Sequence, residues 1–289
     1  MGYAFALIAV VCWGLVHIPI KLAKAPGRLG VMVAMPAAMI PLILLAVATG
    51  QFLIPDCSWR DWLFILLTGL CQFAFGEAAY YEAVHCAGIT VAAPTTRLTP
   101  LLVVTATMFL TPEQFSWLLL PAAATIALGG ILLARALRSR NTQPAHPDLK
   151  KGIIFALLAC VAWAAGNLAV DQVDKDISRI MVTLLALGFG TLVYGTILVL
   201  TGKLTRLRTL TRRDFLLYTA VGLIGYSVAF CAFFEAIRRM GVGPAAVVCG
   251  IWPAAAVLVG ILVFREPMNR LKTVGVILLV LGALLVALL

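Results

Sequence analysis

GYAFALIAVVCW (residues 2–13) and GIIFALLACVAW (residues 152–163) are one segment written twice. At an offset of 150 the pairs Gly2/Gly152, Phe5/Phe155, Ala6/Ala156, Leu7/Leu157, Ala9/Ala159, Val11/Val161 and Trp13/Trp163 are identical. A second match runs at an offset of 153. YYEAVHCAG (80–88) faces FFEAIRRMG (233–241), which aligns Glu82 with Glu235 and Gly88 with Gly241. Pro100 then aligns with Pro253, Glu113 with Glu266, and IALGGILLA (126–134) with LVLGALLVA (279–287). Shared low complexity can imitate one such stretch. It does not imitate four in order with a single three-residue insertion. The chain is read as a duplication, with copies at 1–135 and 152–289 joined by a polar linker at 136–151.

Each copy holds five apolar runs. They fall at 2–23, 29–50, 61–85, 89–110 and 115–135, then at 152–173, 178–200, 213–238, 243–264 and 272–288. A spanning helix needs about 20 apolar residues, and the runs are continuous rather than alternating, which disfavours strands. The expectation is an all-α polytopic membrane protein of ten transmembrane helices. Five is odd, so the second copy starts on the opposite side of the membrane, and the fold is two inverted five-helix repeats. Inverted repeats belong to secondary transporters, whose binding site lies near the midplane between the copies.

Composition agrees. Of 289 residues 63% are hydrophobic and 12% are charged, about half the usual charged share. That excludes a soluble enzyme, a disordered chain and a disulfide scaffold. The net charge of +10 sits in short loops, so nucleic acid is not an expected partner. The seven cysteines show no CxxC and read as small buried hydrophobes. Residues 1–23 lack a basic n-region and read as a retained first helix. Of 22 Lys and Arg, Arg97 lies in mid-run and Arg60, Lys175, Arg179, Arg238 and Arg239 fall on one side. The remaining sixteen fall on the other. The positive-inside rule makes the side with sixteen cytoplasmic and puts both termini outside.

Trp13 and Trp163 in the first helix of each copy, Pro100 with Pro253, and Glu113 with Glu266 before each last helix resemble the drug/metabolite transporter superfamily, EamA-type branch, over essentially the whole chain. Within it Tyr80-Tyr81-Glu82 and Phe233-Phe234-Glu235 resemble the YddG-type bacterial exporters of aromatic and other amino acids. The resemblance implies ten helices around a central cavity, no ATP-binding domain and no cofactor. It also implies a location in the bacterial inner membrane. The expected function is export of neutral amino acids with broad specificity by alternating access, in a monomer or weak oligomer embedded in lipid. A drug or other small-metabolite exporter of the same fold is the alternative. P-loop, HExxH, GxSxG and DDxxD signatures do not occur, which disfavours an enzyme.

Polar residues within the runs mark the expected site. A charge at the bilayer centre costs about 2.5–3.5 kcal/mol, so Glu77 and Arg97 should face inward. Arg97 suits a substrate carboxylate, and Glu77 a proton or an amine; a static Glu77–Arg97 pair is the competing reading. His17 and Asn167 each follow a repeated tryptophan by four residues and share its helix face. With Trp13 and Trp163 they suit an amphipathic ligand, or they pack the core. A metal role for His17 is not expected. Tyr80, Tyr81, Tyr226 and Trp252 are further aromatic candidates. Glu82 with His85, and Glu235 with Arg238 and Arg239, are spaced for ion pairs on one helix face that brace or close the transporter; a proton-coupling site is the alternative. Pro100 and Pro253 read as mid-helix kinks or hinges. Pro19, Pro36 and Pro41 read as interruptions of the first two helices, and helices five and ten as peripheral.

Overall fold

The computed structural model describes residues 1–51, 57–112, 115–138 and 148–288. Among these there is no strand, and long helical segments make up most of the chain, with a short 3-10 helix at Leu204–Thr209 beside them. The long segments are α1 (Gly2–Leu22), α2 (Gly27–Ala48), α3 (Trp59–Ala87), α4 (89–110), α5 (Leu119–Arg138), α6 (Leu149–Asp171), α7 (Arg179–Leu200), α8 (Arg212–Met240), α9 (Val242–Phe264) and α10 (Arg270–Val286). Eight are long and apolar enough to cross a membrane. The other two are α4, which a 3-10 turn divides at Thr96–Leu98, and α10, with 17 residues. Their ends fall within a few residues of the apolar runs. Most of the 136–151 linker, and Glu113, lie outside the described residues.

The outer surface carries large apolar side chains such as Leu44, Val161 and Leu262, each more than half exposed. A surface of this kind suits hydrocarbon rather than water. Small residues let the helices approach closely, as they do in membranes. A Cβ on Gly69 of α3 would stand 2.6 Å from the Ala186 carbonyl oxygen of α7, and one on Gly222 of α8 would overlap the Ala34 carbonyl of α2. α5 and α10 meet at Gly129, Gly275 and Gly282.

The same local devices recur about 150 residues apart. Ser58 caps α3, accepting from the Asp61 amide at 3.2 Å; Thr211 caps α8, accepting from the Asp214 amide at 3.1 Å. Asp61 also accepts from the Asp174 amide (2.9 Å), just past α6, and Asp214 from the Lys24 amide (2.8 Å), just past α1. Both long helices contain a π-helical stretch, Gly69–Phe75 and Gly222–Ala229. Both stop at a glycine, Gly88 (φ 78°) and Gly241 (φ 82°), in a conformation side chains rarely adopt.

The prolines meet the sequence expectation at Pro19 and depart from it at Pro36, Pro41, Pro100 and Pro253. Pro19 cannot donate to the Leu15 carbonyl, and α1 is interrupted there, at Val16. α2 runs unbroken through Pro36 and Pro41. Pro100 and Pro253 are not kinks within continuous helices. Each stands in the first turn of the second half of a broken helix, after Thr96–Leu98 in α4 and after Gly250–Ile251 in α9. There the missing N–H is one of the groups a helix start leaves unpaired anyway, so proline fits without strain.

Glu266, between α9 and α10, binds Lys21 of α1 at 2.6 Å and Lys272 of α10 at 3.1 Å. The Lys21 hydrogen bond, helped by Lys272, holds the carboxyl below its ordinary value of 4.5 against the opposing effect of desolvation. A depressed folded-state value means the clamp stabilises the protein above pH 4.5 and loses that contribution as pH falls through the folded value. Thermal melts in detergent should show this acid-side loss. Glu266→Gln should flatten it, and an unchanged acid limb would remove Glu266 as its source.

Candidate functional site

Trp13 of α1 packs edge-on against Phe230 and Phe233 of α8, with ring centroids 5.3 and 5.4 Å apart. Trp163 of α6 makes the equivalent contact with α3. Its ring lies 5.4 Å from Tyr80, and its Nε1 donates to the Gln72 carbonyl at 3.1 Å. Both tryptophans therefore point into the bundle. Gly76, just after the π-helical stretch, lets Trp163 approach closely, since a Cβ there would lie 2.5 Å from its ring.

At the break in α4 the Arg97 guanidinium lies over the Trp252 ring, 4.4 Å from its centroid, and the His17 ring centroid stands 5.1 Å from that of Trp252. Cation–π contact of this kind holds a buried guanidinium in place. Arg97 Nε donates to the Ala93 carbonyl (3.2 Å) and Nη2 to Thr96 Oγ1 (3.0 Å). His17 Nδ1 lies 3.0 Å from the Trp13 carbonyl, which leaves Nε2 directed elsewhere. Tyr80 lies near enough to Arg97 to interact with it, and joins this corner to Trp163. Thr95 and Thr99 spend their hydroxyls on the carbonyls of Val91 and Thr96.

Glu77 is buried and meets the Tyr226 hydroxyl rather than Arg97. Among the described residues Lys21–Glu266, Lys272–Glu266, Arg238–Glu235 and Arg239–Glu235 form ion pairs, and Glu77 with Arg97 does not. The static Glu77–Arg97 pair is thus not formed in this conformation. Tyr226 stacks on Phe230, which continues the aromatic wall to Trp13. Trp13, His17, Tyr80, Tyr81, Arg97, Trp163 and Trp252 all keep part of their surface accessible, although each sits well inside the bundle.

The other candidates lie apart. Asn167 is buried and its Oδ1 has no hydrogen-bond partner; Gln72 Oε1, which lies beside Gly166, is in the same position. Glu235 takes Arg238 Nε and Nη2 at 2.8 and 2.6 Å, and also Arg239, while Arg238 Nη1 reaches the Lys175 carbonyl at 2.9 Å. That ties the end of α8 to the α6–α7 loop. Glu82 does not repeat this: it makes no ion pair with His85 among the described residues. It lines a crevice of about 540 Å³ between α2, α3, α6 and α7. The sequence supplied Glu235 with two arginines at three and four residues and gave Glu82 only one histidine.

Sequence reasoning missed Gly130. It lies on α5, which therefore is not purely peripheral, and a Cβ there would overlap the Arg97 stem. The adjacent Gly129-Gly130 in an apolar run was the available signal. Gly130→Ala is expected to push Arg97 off Trp252 and lower transport on the order of tenfold or more, with normal expression. Unchanged transport per molecule would mean that Arg97 has slack.

Helices of this length and surface define a multi-pass membrane protein with a polar and aromatic interior. The EamA-like transporter family matches residues 1–135 and 150–288, and the chain belongs to that family. The family is one of membrane transporters of small molecules, which indicates a transporter rather than an enzyme. A search of the curated proteins found no match. The crystal structure of another protein superposes with a TM-score of 0.81, over 99% of this chain and 98% of that one, at 18% identity. It supports the fold alone.

Proposed function

We propose that this chain exports amino acids, aromatic and other neutral ones, across the bacterial inner membrane by alternating access. Ten spans form two inverted repeats, with both termini outside the cytoplasm. The observation that carries the substrate class is Arg97: a guanidinium inside the bundle, oriented by Trp252, Ala93 and Thr96, with no carboxylate of the described residues paired to it. A substrate carboxylate supplies the missing anion and can take a forked pair of hydrogen bonds. The aromatic wall from Trp163 to Trp13 suits an apolar side chain, each Å² of which gains about 25 cal/mol on burial.

Support for the inverted repeat comes from the ends of the helices. Gly2 at the start of α1 lies against Met240 at the end of α8, and Gly152 at the start of α6 lies against Ala87 at the end of α3. Arg238 near the end of α8 bonds Lys175 past the end of α6. By these contacts α1 starts where α6 finishes. Lys21, Lys24 and Lys272 gather at the other face, in keeping with a cytoplasmic side there. Halves of this kind can exchange conformations, and the broken helices α4 and α9 are the natural moving parts.

The test is uptake by proteoliposomes of a panel holding tryptophan, threonine, tryptamine and a lipophilic cationic drug, with and without a pH gradient. Uptake of the two amino acids over the amine and the drug is expected. Uptake of the drug alone would replace this reading with drug export.

A further inference from the structure

The crevice that contains Glu82 is separate from the Arg97 corner, and its lining includes neither Arg97, Trp252 nor His17. Its length is apolar, with Phe75, Phe155, Leu158 and Val161 among its walls, while charge gathers at one end. Phe75, Leu158 and Val161 are about half exposed on the outer apolar surface, so the slot is open along that side. Arg28 enters from the first turn of α2, Lys203 from just beyond α7, and Glu82 from near the end of α3. These ends share one face of the bundle, because the Tyr194 hydroxyl of α7 donates to the Arg28 carbonyl at 3.1 Å. The Arg28 Nε is buried without a hydrogen-bond partner. None of the three charges is ion-paired among the described residues. Two cations and a carboxylate at the mouth of an apolar slot match a zwitterion with an apolar tail. A bare amine would face two like charges there.

Tyr81 lines the crevice and also packs edge-on against Tyr80, which touches Trp163. One aromatic ring thus divides the crevice from the central residues. Its seat is exact in size, because a Cβ on Gly27 would overlap it.

We propose that this crevice is a second, cytoplasm-side subsite for an α-amino acid with an apolar side chain. Arg28 and Lys203 take its carboxylate, Glu82 takes its ammonium group, and Tyr81 is the door to the central site. The proposal rests on the amino acid reading and on the orientation given above.

The experiment compares tryptophan transport from the two faces, using inside-out and right-side-out vesicles of cells making wild type, Glu82→Gln or Arg28→Gln. A subsite at one face should weaken capture from that face only. The ratio of the cytoplasmic to the external KM should rise about tenfold in each variant, the effect of losing one charge-assisted contact. Because each ratio is taken within one protein, reduced folding or expression cancels. Indole-3-propionate, which lacks the ammonium group, should lose its sensitivity to Glu82→Gln and keep it to Arg28→Gln. An unchanged ratio in both variants, with wild type transporting tryptophan, overturns the subsite and leaves the export reading standing. The same holds if the ratio is unchanged and the variants lose co-purified phosphatidylethanolamine, which would make the crevice a lipid site. Wild type that transports no amino acid overturns both.

Discussion

Arg97→Gln is expected to lower tryptophan transport in proteoliposomes by about a hundredfold without loss of folded protein. Two charge-assisted hydrogen bonds from a guanidinium to a carboxylate contribute about 1.5 kcal/mol each, and about 3 kcal/mol is two factors of ten. The fold should survive because no carboxylate among the described residues is paired with Arg97 and would be stranded: Glu77 meets Tyr226 instead. Arg97→Lys keeps the charge and loses the fork, so it should also fail with tryptophan, while the low tryptamine uptake of the wild type should stay unchanged. A double variant, Glu77→Gln with Arg97→Gln, tests the rival pair. Recovery of the transport lost in either single variant would show that the two residues pair in another conformation, and the anchor role would fall.

The second large effect is on stability. Gly222→Leu should leave little monodisperse protein in detergent, because even the first added carbon meets the Ala34 carbonyl of a neighbouring helix. Backbone cannot step aside as a side-chain tip can, and overpacking costs about 1–3 kcal/mol or more. Gly69→Leu should behave alike, since its Cβ would meet the Ala186 carbonyl. Gly188→Ala is the contrast: its Cβ would lie 3.6 Å from the flexible Met39 Cε, and it should be tolerated. Equal yields for Gly222→Leu and Gly188→Ala would refute the close α2–α8 contact.

What was legible in the sequence was whatever depends on apolar length and on repetition. The helical runs, their ends and the inward tryptophans follow from continuous hydrophobicity and from Trp13 matching Trp163. Pro100 and Pro253 were legible as breaks but not as helix starts, because a sequence pattern does not tell a kink from a chain that stops at Thr96–Leu98 and begins again. Glu77 and Arg97 were visible as isolated charges. Their partners were not, since Tyr226 and Trp252 come from distant segments that only packing brings close. Gly130 was hidden for the same reason: its contribution is the space it leaves for Arg97. The unequal bracing of Glu82 and Glu235 was half readable, from the two arginines that follow only the latter.

Counterflow puts the central claim to the most direct test. Proteoliposomes loaded with unlabelled tryptophan are diluted into a trace of labelled tryptophan, and internal label is followed with time. A carrier with one site exposed alternately to each side concentrates the label transiently above the external level before it decays. The account predicts that overshoot for wild type and its absence for Arg97→Gln. Label that never rises above the level reached in protein-free liposomes would contradict amino acid transport by this chain.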